Sequence, residues 1–310
     1  MISEEVYHIP ALLPQALEAL DIKPDGVYVD ATYGGGGHSR AIVERLGPSG
    51  HLYSFDQDID AVSRALTDDR FTIVHGNFRF ITNFLRYYGV GKIDGLLADL
   101  GVSFHHFDDP GRGFSFRHDG PLDMRMNQKA RLTAAHIIAN YTEEQLADMF
   151  YLLGELKTAR RLAAAIVDAR RQAPITTTEQ FIADVGPMVN PRQEKKELAQ
   201  IFQALRIEVN GEIDALKALL TSTVKILKPG ARLAIMTYHS LEDRLVKNFM
   251  KTGDLSGREQ KDFFGRNLSP FKLLTAKPIV PDEAEIAANP RSRSAKLRVA
   301  RFIAVPGAEK

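Results

Sequence analysis

Residues 30 to 38 read Asp30, Ala31, Thr32, Tyr33, four consecutive glycines from Gly34 to Gly37, and His38. Residues without a Cβ let the main chain approach a ligand closely, and the amides at the start of a helix offer donors to a carboxylate or a phosphate. About 20 residues further on stands Asp56, where an acidic side chain bonds ribose hydroxyls in dinucleotide sites, and the same logic serves adenosine. Together they point to a nucleoside-bearing ligand, the other use of the glycines being a tight strand-to-helix turn. Ser39 stands where a nicotinamide fingerprint has its third glycine, which argues against that cofactor. Asn77 and Phe78 follow the next strand, and Phe78 either flanks an adenine ring or belongs to the core.

A second centre lies in Leu97, Ala98, Asp99, Leu100, Gly101, Val102 and Ser103. An exocyclic amine is a poor nucleophile while its lone pair is delocalised. A carboxylate that accepts its hydrogen orients it for in-line attack on a sulfonium methyl. Asp99 is therefore the first catalytic candidate; its other uses are to cap the following turn or to bond a ligand amino group. His239, between Tyr238 and Ser240, is the second, as a contact to the acceptor base or a proton relay. Ser240 with Asp243 alternatively forms a helix capping pair.

Arginine and aromatic residues interleave in Arg112, Gly113, Phe114, Ser115, Phe116, Arg117, followed by Leu122, Asp123, Met124, Arg125, Met126 and Asn127. Such a run suits unstacked bases and phosphates, which makes Arg112, Phe114, Phe116 and Arg125 RNA-binding candidates. Otherwise the phenylalanines pin the loop to the core and the arginines are solvated. Arg291, Arg293, Lys296 and Arg298 offer a phosphate-binding edge, extended by Arg160, Arg161, Arg170 and Arg171, or are ordinary solvated charge.

The elements that must position these residues are an α/β set. Short apolar strands alternate with helical patterns at Val27 to Asp30, His51 to Asp56, Phe71 to His75 and Ile93 to Asp99, a parallel βαβ sheet with ligand-binding residues at its carboxyl edge. From Asp109 to about Asn190 the pattern turns helical. Thr142 with Gln145 and Thr177 with Gln180 have the capping-box spacing, and a long helix is expected from Glu155 to Arg171. Helices follow around Lys195 to Asn210 and Glu212 to Leu227, then a turn at Lys228, Pro229, Gly230 and a strand from Ala231 to Tyr238. Two further strands, Phe271 to Lys277 and Leu297 to Val305, close the sheet with an antiparallel edge. The expected organisation is residues 1–108 and 195–310 as one interrupted domain, with a helical substrate-recognition insertion at 109–194.

The 310 residues, 44% of them hydrophobic, suffice for one core plus an insertion. No window approaches the ~18 consecutive apolar residues that span a bilayer, and Glu4 and Glu5 replace the basic start of an export signal, so a cytoplasmic protein with no membrane partner is expected. With no cysteine, disulfides, thiolate metal sites and cysteine nucleophiles are excluded, and no metal is expected. A net charge of +1 means that a nucleic acid would be held by local patches.

These motifs resemble, nearly end to end, the bacterial 16S ribosomal RNA cytosine-N4 methyltransferases called RsmH or MraW. The matching pieces are His8 to Leu13, TYGGGGHS at 32–39, DLGVS at 99–103, RGFSF at 112–116, LDMRMN at 122–127, FQALRIEVN at 202–210, YHSLEDRLVK at 238–247 and NPRSRSAKLR at 289–298. The resemblance implies a class I Rossmann-like S-adenosylmethionine methyltransferase sheet with an inserted all-helical domain. It also implies methylation of a cytosine amino group in the decoding region of 16S ribosomal RNA in the small subunit. By this resemblance Gly36, Gly37, His38, Asp56, Phe78 and Asp99 contact S-adenosyl-L-methionine. So does His106, where glutamine is the commoner residue and where Phe104 replaces a usual serine. Ala231 replaces a usual glycine and Tyr238 a usual phenylalanine. The chemistry agrees: covalent methylation at cytosine C5 needs a cysteine, which leaves an amino group or a ribose oxygen as acceptor. The Pro-Pro-aromatic tetrad of many amino methyltransferases is not kept after Asp99. A non-catalytic RNA-binding assembly factor on the same scaffold is the competing reading, separated from the enzyme by turnover; a nicotinamide dehydrogenase is more distant.

Overall fold

In the strands the apolar side chains alternate between two faces, and each face carries its own helices. The computed structural model describes residues 10–102, 104–265 and 268–304. His8 and Ile9 of the first motif, Ser103 of DLGVS and Val305 at the end of the last expected strand lie outside them. The chain separates into two units, Met1–Gly101 with Ile213–Lys310, and Val102–Glu212.

The first unit runs α1 (Leu13–Leu20), β1 (Val27–Asp30), α2 (Gly37–Val43), β2 (His51–Asp56), α3 (Ile59–Val62), β3 (Phe71–His75), α4 (Ile81–Tyr87) and β4 (Ile93–Asp99). The second unit holds α5 (Phe104–Asp108), α6 (Ala134–Asn140), α7 (Glu143–Gly154), α8 (Ala159–Gln172), α9 (Thr178–Val185) and α10 (Glu194–Asn210). The chain then returns through α11 (Glu212–Ile226), β5 (Leu227–Thr237), α12 (Ser240–Thr252), β6 (Phe271–Leu273), α13 (Glu283–Ala288) and β7 (Lys296–Phe302).

The seven strands lie in the order β3-β2-β1-β4-β5-β7-β6. Strands β1 to β5 are parallel, and β7 runs antiparallel between β5 and β6. This is the Rossmann-like methyltransferase sheet that the motifs imply. Tyr28, Leu52, Leu97 and Ala234 pack on one face with α1 and α2, while their neighbours Val29, Leu96 and Ile235 pack on the other with α4, α11 and α12. Burial on both faces explains why the parallel strands read as near-continuous apolar runs. β1 pairs with both β2 and β4, so the strand order reverses there, and in such sheets ligands bind outside the carboxyl ends at that switch point.

Strand ends depart from the sequence expectation where pairing decides them. Leu227 pairs with Ile93 and Arg232 with Gly95, so the exposed residues Lys228, Pro229 and Gly230 loop out of a strand that begins earlier than Ala231. β6 stops at Leu273 rather than Lys277 because its register against β7 ends there.

The second unit is all-helical around Phe150, Leu162, Ile166, Phe181, Phe202 and Leu205. Both capping boxes form, Thr142 with Gln145 and Thr177 with Gln180. The helix expected from Glu155 starts at Ala159, because Glu155 adopts a left-handed φ of 52° as the C-cap of α7. The unit also reaches past 109–194 at both ends. α10 belongs to it because Leu198, Ile201, Phe202 and Leu205 are buried in this core.

Candidate functional site

The ends of β1, β2 and β4 place Asp30, Asp56 and Asp99 along one edge of the first unit. Backbone bonds continue past the strands, from Ala31 N–H to Leu97 O (2.8 Å) and from Tyr33 N–H to Phe55 O (2.8 Å), so the glycine turn grows directly out of the sheet. Within it Gly34 has φ 51° and Gly36 φ 75°, a region that glycine enters without the Cβ penalty. A Cβ on Gly37 would collide with Pro10, whereas one on Gly35 would meet nothing within 4 Å, so the turn has an open side.

Asp56 braces this turn: Oδ2 accepts from Gly34 N–H and Oδ1 from Asp58 N–H, both at 2.8 Å. Beyond β3, Asn77 Nδ2 donates to Gln57 Oε1 at 3.0 Å, and Phe78 is half-buried against the core. Both uses of Phe78 keep structural support, since one part of its ring packs and the rest is open.

Asp99 is held from three sides. Its N–H donates to Thr32 Oγ1 at 2.6 Å, Oδ1 accepts from Tyr238 Oη at 2.7 Å, and Oδ2 lies 3.9 Å from His38 Nδ1. Burial pushes its carboxyl up to about 7; the Tyr238 hydrogen bond pulls down and the Glu242 carboxylate adds to the rise. His38 is buried, and desolvation lowers its pKa against the nearby Asp30 carboxylate and the Ala11 carbonyl, so its ring is neutral near pH 7. Nε2 sits 3.1 Å from Ala11 O. A carbonyl only accepts, so Nε2 carries the proton and Nδ1, on the Asp99 side, is an acceptor.

Three residues of this site were not singled out by sequence reasoning. Asp30 is fully buried and accepts from Ser39 Oγ (2.7 Å) and Thr32 N–H (3.1 Å); Ser39 Oγ in turn lies 2.8 Å from Ser54 Oγ. Burial raises the Asp30 carboxyl to about 6, against the pull of His38 and Ser39. Thr32 links Asp99 to Asp30, and Glu242, 3% exposed, accepts from Tyr238 N–H at 3.1 Å. An acid ending the strand before a glycine run was the available signal for Asp30; Glu242 carried none, since its role depends on α12 folding back over β5.

His239 is the N-cap residue of α12, without a side-chain cap bond. The Ser240–Asp243 capping pair does not form: the Asp243 carboxylate is taken by Arg298 (Nε 2.6 Å, Nη2 3.1 Å). His239 Nε2 lies 3.1 Å from Glu242 Oε1 but out of line, and neither ring nitrogen has a hydrogen-bond partner among the described residues. Both nitrogens are themselves buried, so a ligand would reach them only after the side chain or its surroundings shift.

Four of the RNA-binding candidates point inward. Arg112 is 7% exposed and donates through Nη2 to Arg125 O (2.9 Å) and Met126 O (3.2 Å). Phe114 is 3% exposed, and Phe116 packs edge-on to Phe202 at 5.6 Å. Arg125 forms a two-pronged pair with Asp123 (2.8 and 2.7 Å) and donates to Ala130 O at 2.6 Å. Asn210 joins these motifs, accepting from Met126 N–H and donating to Met124 O, both at 2.8 Å, and holding Met124 at a left-handed φ of 63°. The density of Arg and Phe here thus reflects a structural knot, because a loop with this many buried polar groups needs guanidinium donors to satisfy its carbonyls.

His106 belongs to the second unit, where it is 5% exposed with its ring 4.8 Å from that of Phe114. On the first unit Arg291 and Arg293 are exposed on the turn before β7, and Lys296 is 44% exposed, 3.9 Å from Asp243. Arg298 is spent on Asp243. Arg160 and Arg161 are exposed on α8, Arg170 donates to Ile138 O at 2.6 Å, and Arg171 pairs with Asp168. Among the described residues no cluster of His, Asp or Glu has the form of a metal site, and no helix is long and apolar enough to cross a membrane.

Three kinds of comparison bear on the chain. It is 59% identical to the ribosomal RNA small subunit methyltransferase H of Parabacteroides distasonis over 97% of this chain and 99% of that one. It is 52% identical to the protein of the same name from Flavobacterium johnsoniae, over 96% and 98%. Among solved structures it matches an rRNA methylase from Streptococcus thermophilus at 11% identity, covering 94% and 93%, with a TM-score of 0.41. The model of the MraW methylase family matches residues 5–303, and on that match, with this level of identity along nearly the whole length, the chain belongs to the MraW methylase family.

Proposed function

We propose that this chain transfers the methyl group of S-adenosyl-L-methionine to the N4 amino group of a cytosine in the decoding region of 16S ribosomal RNA, acting in the cytoplasm on the small ribosomal subunit. The observation that carries the reading is Asp99, anchored at the carboxyl end of β4 by Thr32 and Tyr238 beside the glycine turn. The names of the relatives support ribosomal RNA as the substrate class.

The residues present fit the cofactor. The glycine turn has an open side at Gly35, Asp56 stands at the end of β2 where ribose hydroxyls are bonded, and Phe78 leaves part of its ring open beyond β3. His38 Nδ1, with Nε2 turned to the Ala11 carbonyl, offers an acceptor for an ammonium group. Gly36 and Gly37 let the main chain come close, and by family resemblance His106 adds a contact. When bound, the cofactor supplies an electrophilic methyl on a positively charged sulfur.

The protein's own task is to place the acceptor nitrogen. Asp99 in its ionised form accepts one N4 hydrogen, turning the nitrogen lone pair toward the methyl carbon. Forming the N–C bond would break the methyl–sulfur bond and leave a neutral thioether, so the nitrogen would gain the positive charge and have to give up a proton. A carboxyl with a pKa of about 7 is poised to take that proton. His239, whose ring nitrogens are buried beside Glu242, would contact the base or pass the proton on once its side chain turns outward. Arg291, Arg293 and Lys296 would hold RNA phosphates.

The test is methyl transfer from labelled S-adenosylmethionine to undermethylated small subunits, followed by nucleoside analysis, for wild type and Asp99→Ala. N4-methylcytidine from wild type and little from the variant supports the reading. Cofactor binding without transfer would favour a non-catalytic RNA-binding assembly factor, and label in another nucleoside would move the acceptor.

A further inference from the structure

We propose that Tyr238 is a positioning residue for Asp99, its hydroxyl holding one carboxylate oxygen so that the other is the one presented to the acceptor amine. The inference rests on the reading of Asp99 just given.

Three features of the fold combine here. Asp99 is paired in register with Met236, and Tyr238 lies two residues beyond it, where β5 has just ended. The ring is directed back across the sheet edge so that Oη meets Asp99 Oδ1 at 2.7 Å. It also covers the turn after β4, since a Cβ on Gly101, at φ 107°, would stand 3.7 Å from Tyr238 Cδ2. The ring's backbone is fixed in turn by Glu242, which takes its N–H. Tyr238 is thus clamped at both ends.

With Asp99 ionised, the direction of this hydrogen bond is fixed. Burial, and then the Asp99 carboxylate, push the Tyr238 pKa far up, so the hydroxyl stays protonated and acts as the donor. A donor on Oδ1 favours the ionised carboxylate and fixes its rotation about the Cβ–Cγ bond. Without it, the position of Asp99 would rest on its main-chain bond to Thr32 and on a 3.9 Å approach to His38, too long for a hydrogen bond.

Other charges act on the same carboxylate. Glu242 on α12 raises the pKa of Asp99, Asp30 at the end of β1 shares Thr32 with it, and His38 on α2 faces Oδ2. Glu285 on α13 acts on Tyr238, but its Oε1 is committed to Leu12 N–H at 2.7 Å. Among the described residues only the Tyr238 hydroxyl donates a side-chain hydrogen bond to Asp99, so its removal reads on Asp99 directly.

Tyr238→Phe keeps the ring and deletes the donor. In the ligand-free protein labelled with carboxyl-13C aspartate, the resonance identified by its loss in Asp99→Asn titrates about one pH unit higher in Tyr238→Phe than in wild type. In single-turnover transfer the acid limb moves up with it, and the ratio of rates at pH 9 and pH 6.5 grows by about sevenfold. Superimposable carboxyl titrations overturn the proposal, and so does a shifted titration with an unshifted acid limb. The titration needs no substrate: if wild type transfers no methyl group, the proposed function fails while the hold of Tyr238 on Asp99 is still decided. Should Tyr238→Phe fail to fold, 3-fluorotyrosine incorporation serves instead. Its more acidic hydroxyl is a stronger donor, so the Asp99 titration is expected to move down, and an unmoved titration overturns the proposal.

Discussion

The main-chain N–H of Asp99 donates to Oγ1 of Thr32 at 2.6 Å, a contact across 67 positions of sequence, and the same hydroxyl lies 3.4 Å from Asp30 Oδ1. A hydroxyl both accepts and donates, so Thr32 couples the ends of β1 and β4 into one chain of bonds. Replacing Thr32 by Val keeps the shape but leaves the Asp99 amide and Asp30 short of a partner, at a cost of about 1–3 kcal/mol. Chemical denaturation should register that loss, and calorimetry with S-adenosylhomocysteine should show weaker binding. An unchanged affinity would mean that the bond is structural only.

Asp30 makes the stability of the first unit depend on pH. Its carboxyl titrates at about 6 in the folded chain, raised by burial from 3.8. A raised acid stabilises the fold below its unfolded pKa, and that contribution is lost as pH rises through the folded value. Wild type should therefore lose roughly 2 kcal/mol from this group between pH 4 and pH 7.5, a span that Asp30→Asn removes. Denaturation of both proteins at the two pH values gives the double difference, and parallel curves would rule the effect out.

Asp56 bridges the glycine turn and the end of β2 through Gly34 and Asp58. Asp56→Asn keeps only one of the two acceptors and loses the charge that strengthens bonds to ribose hydroxyls, so cofactor affinity should fall by about tenfold or more, and the N–H left facing the amide nitrogen should cost about 1–3 kcal/mol of stability. Fluorescence or calorimetric titration checks the first, and a thermal scan the second.

The arginines and aromatics of the two units should separate cleanly. Phe114→Ala removes a side chain that is 3% exposed, and is expected to cost about 3–5 kcal/mol in the second unit. Arg293→Ala should leave stability within about 0.5 kcal/mol but weaken RNA binding and reduce its salt slope by about one. Filter binding across a salt series, alongside thermal melts, distinguishes the two. A stable Phe114→Ala protein with selectively lost RNA affinity would restore that loop as an RNA surface.

The sequence by itself determined what depends on local chemistry. The bounds of β1 to β4 follow from short apolar runs, three of them ending in an acid, both capping boxes from a threonine three residues before a glutamine, and the ligand turn from four glycines after a strand. Family membership was legible in collinear motifs spread along the whole chain. Only the tertiary structure decided which of two uses a residue has, because that depends on what arrives from far along the chain. Arg112 and Arg125 look like phosphate ligands until the carbonyls of the loop around Met126 and Ala130 fold onto their guanidinium groups. Tyr238 looks like a tolerated replacement for phenylalanine until β5 lies beside β4 and its hydroxyl lands on Asp99. α10 joins the helical unit for the same reason: its apolar face is amphipathic in any context, and only the core formed with α7 settles where that face is buried.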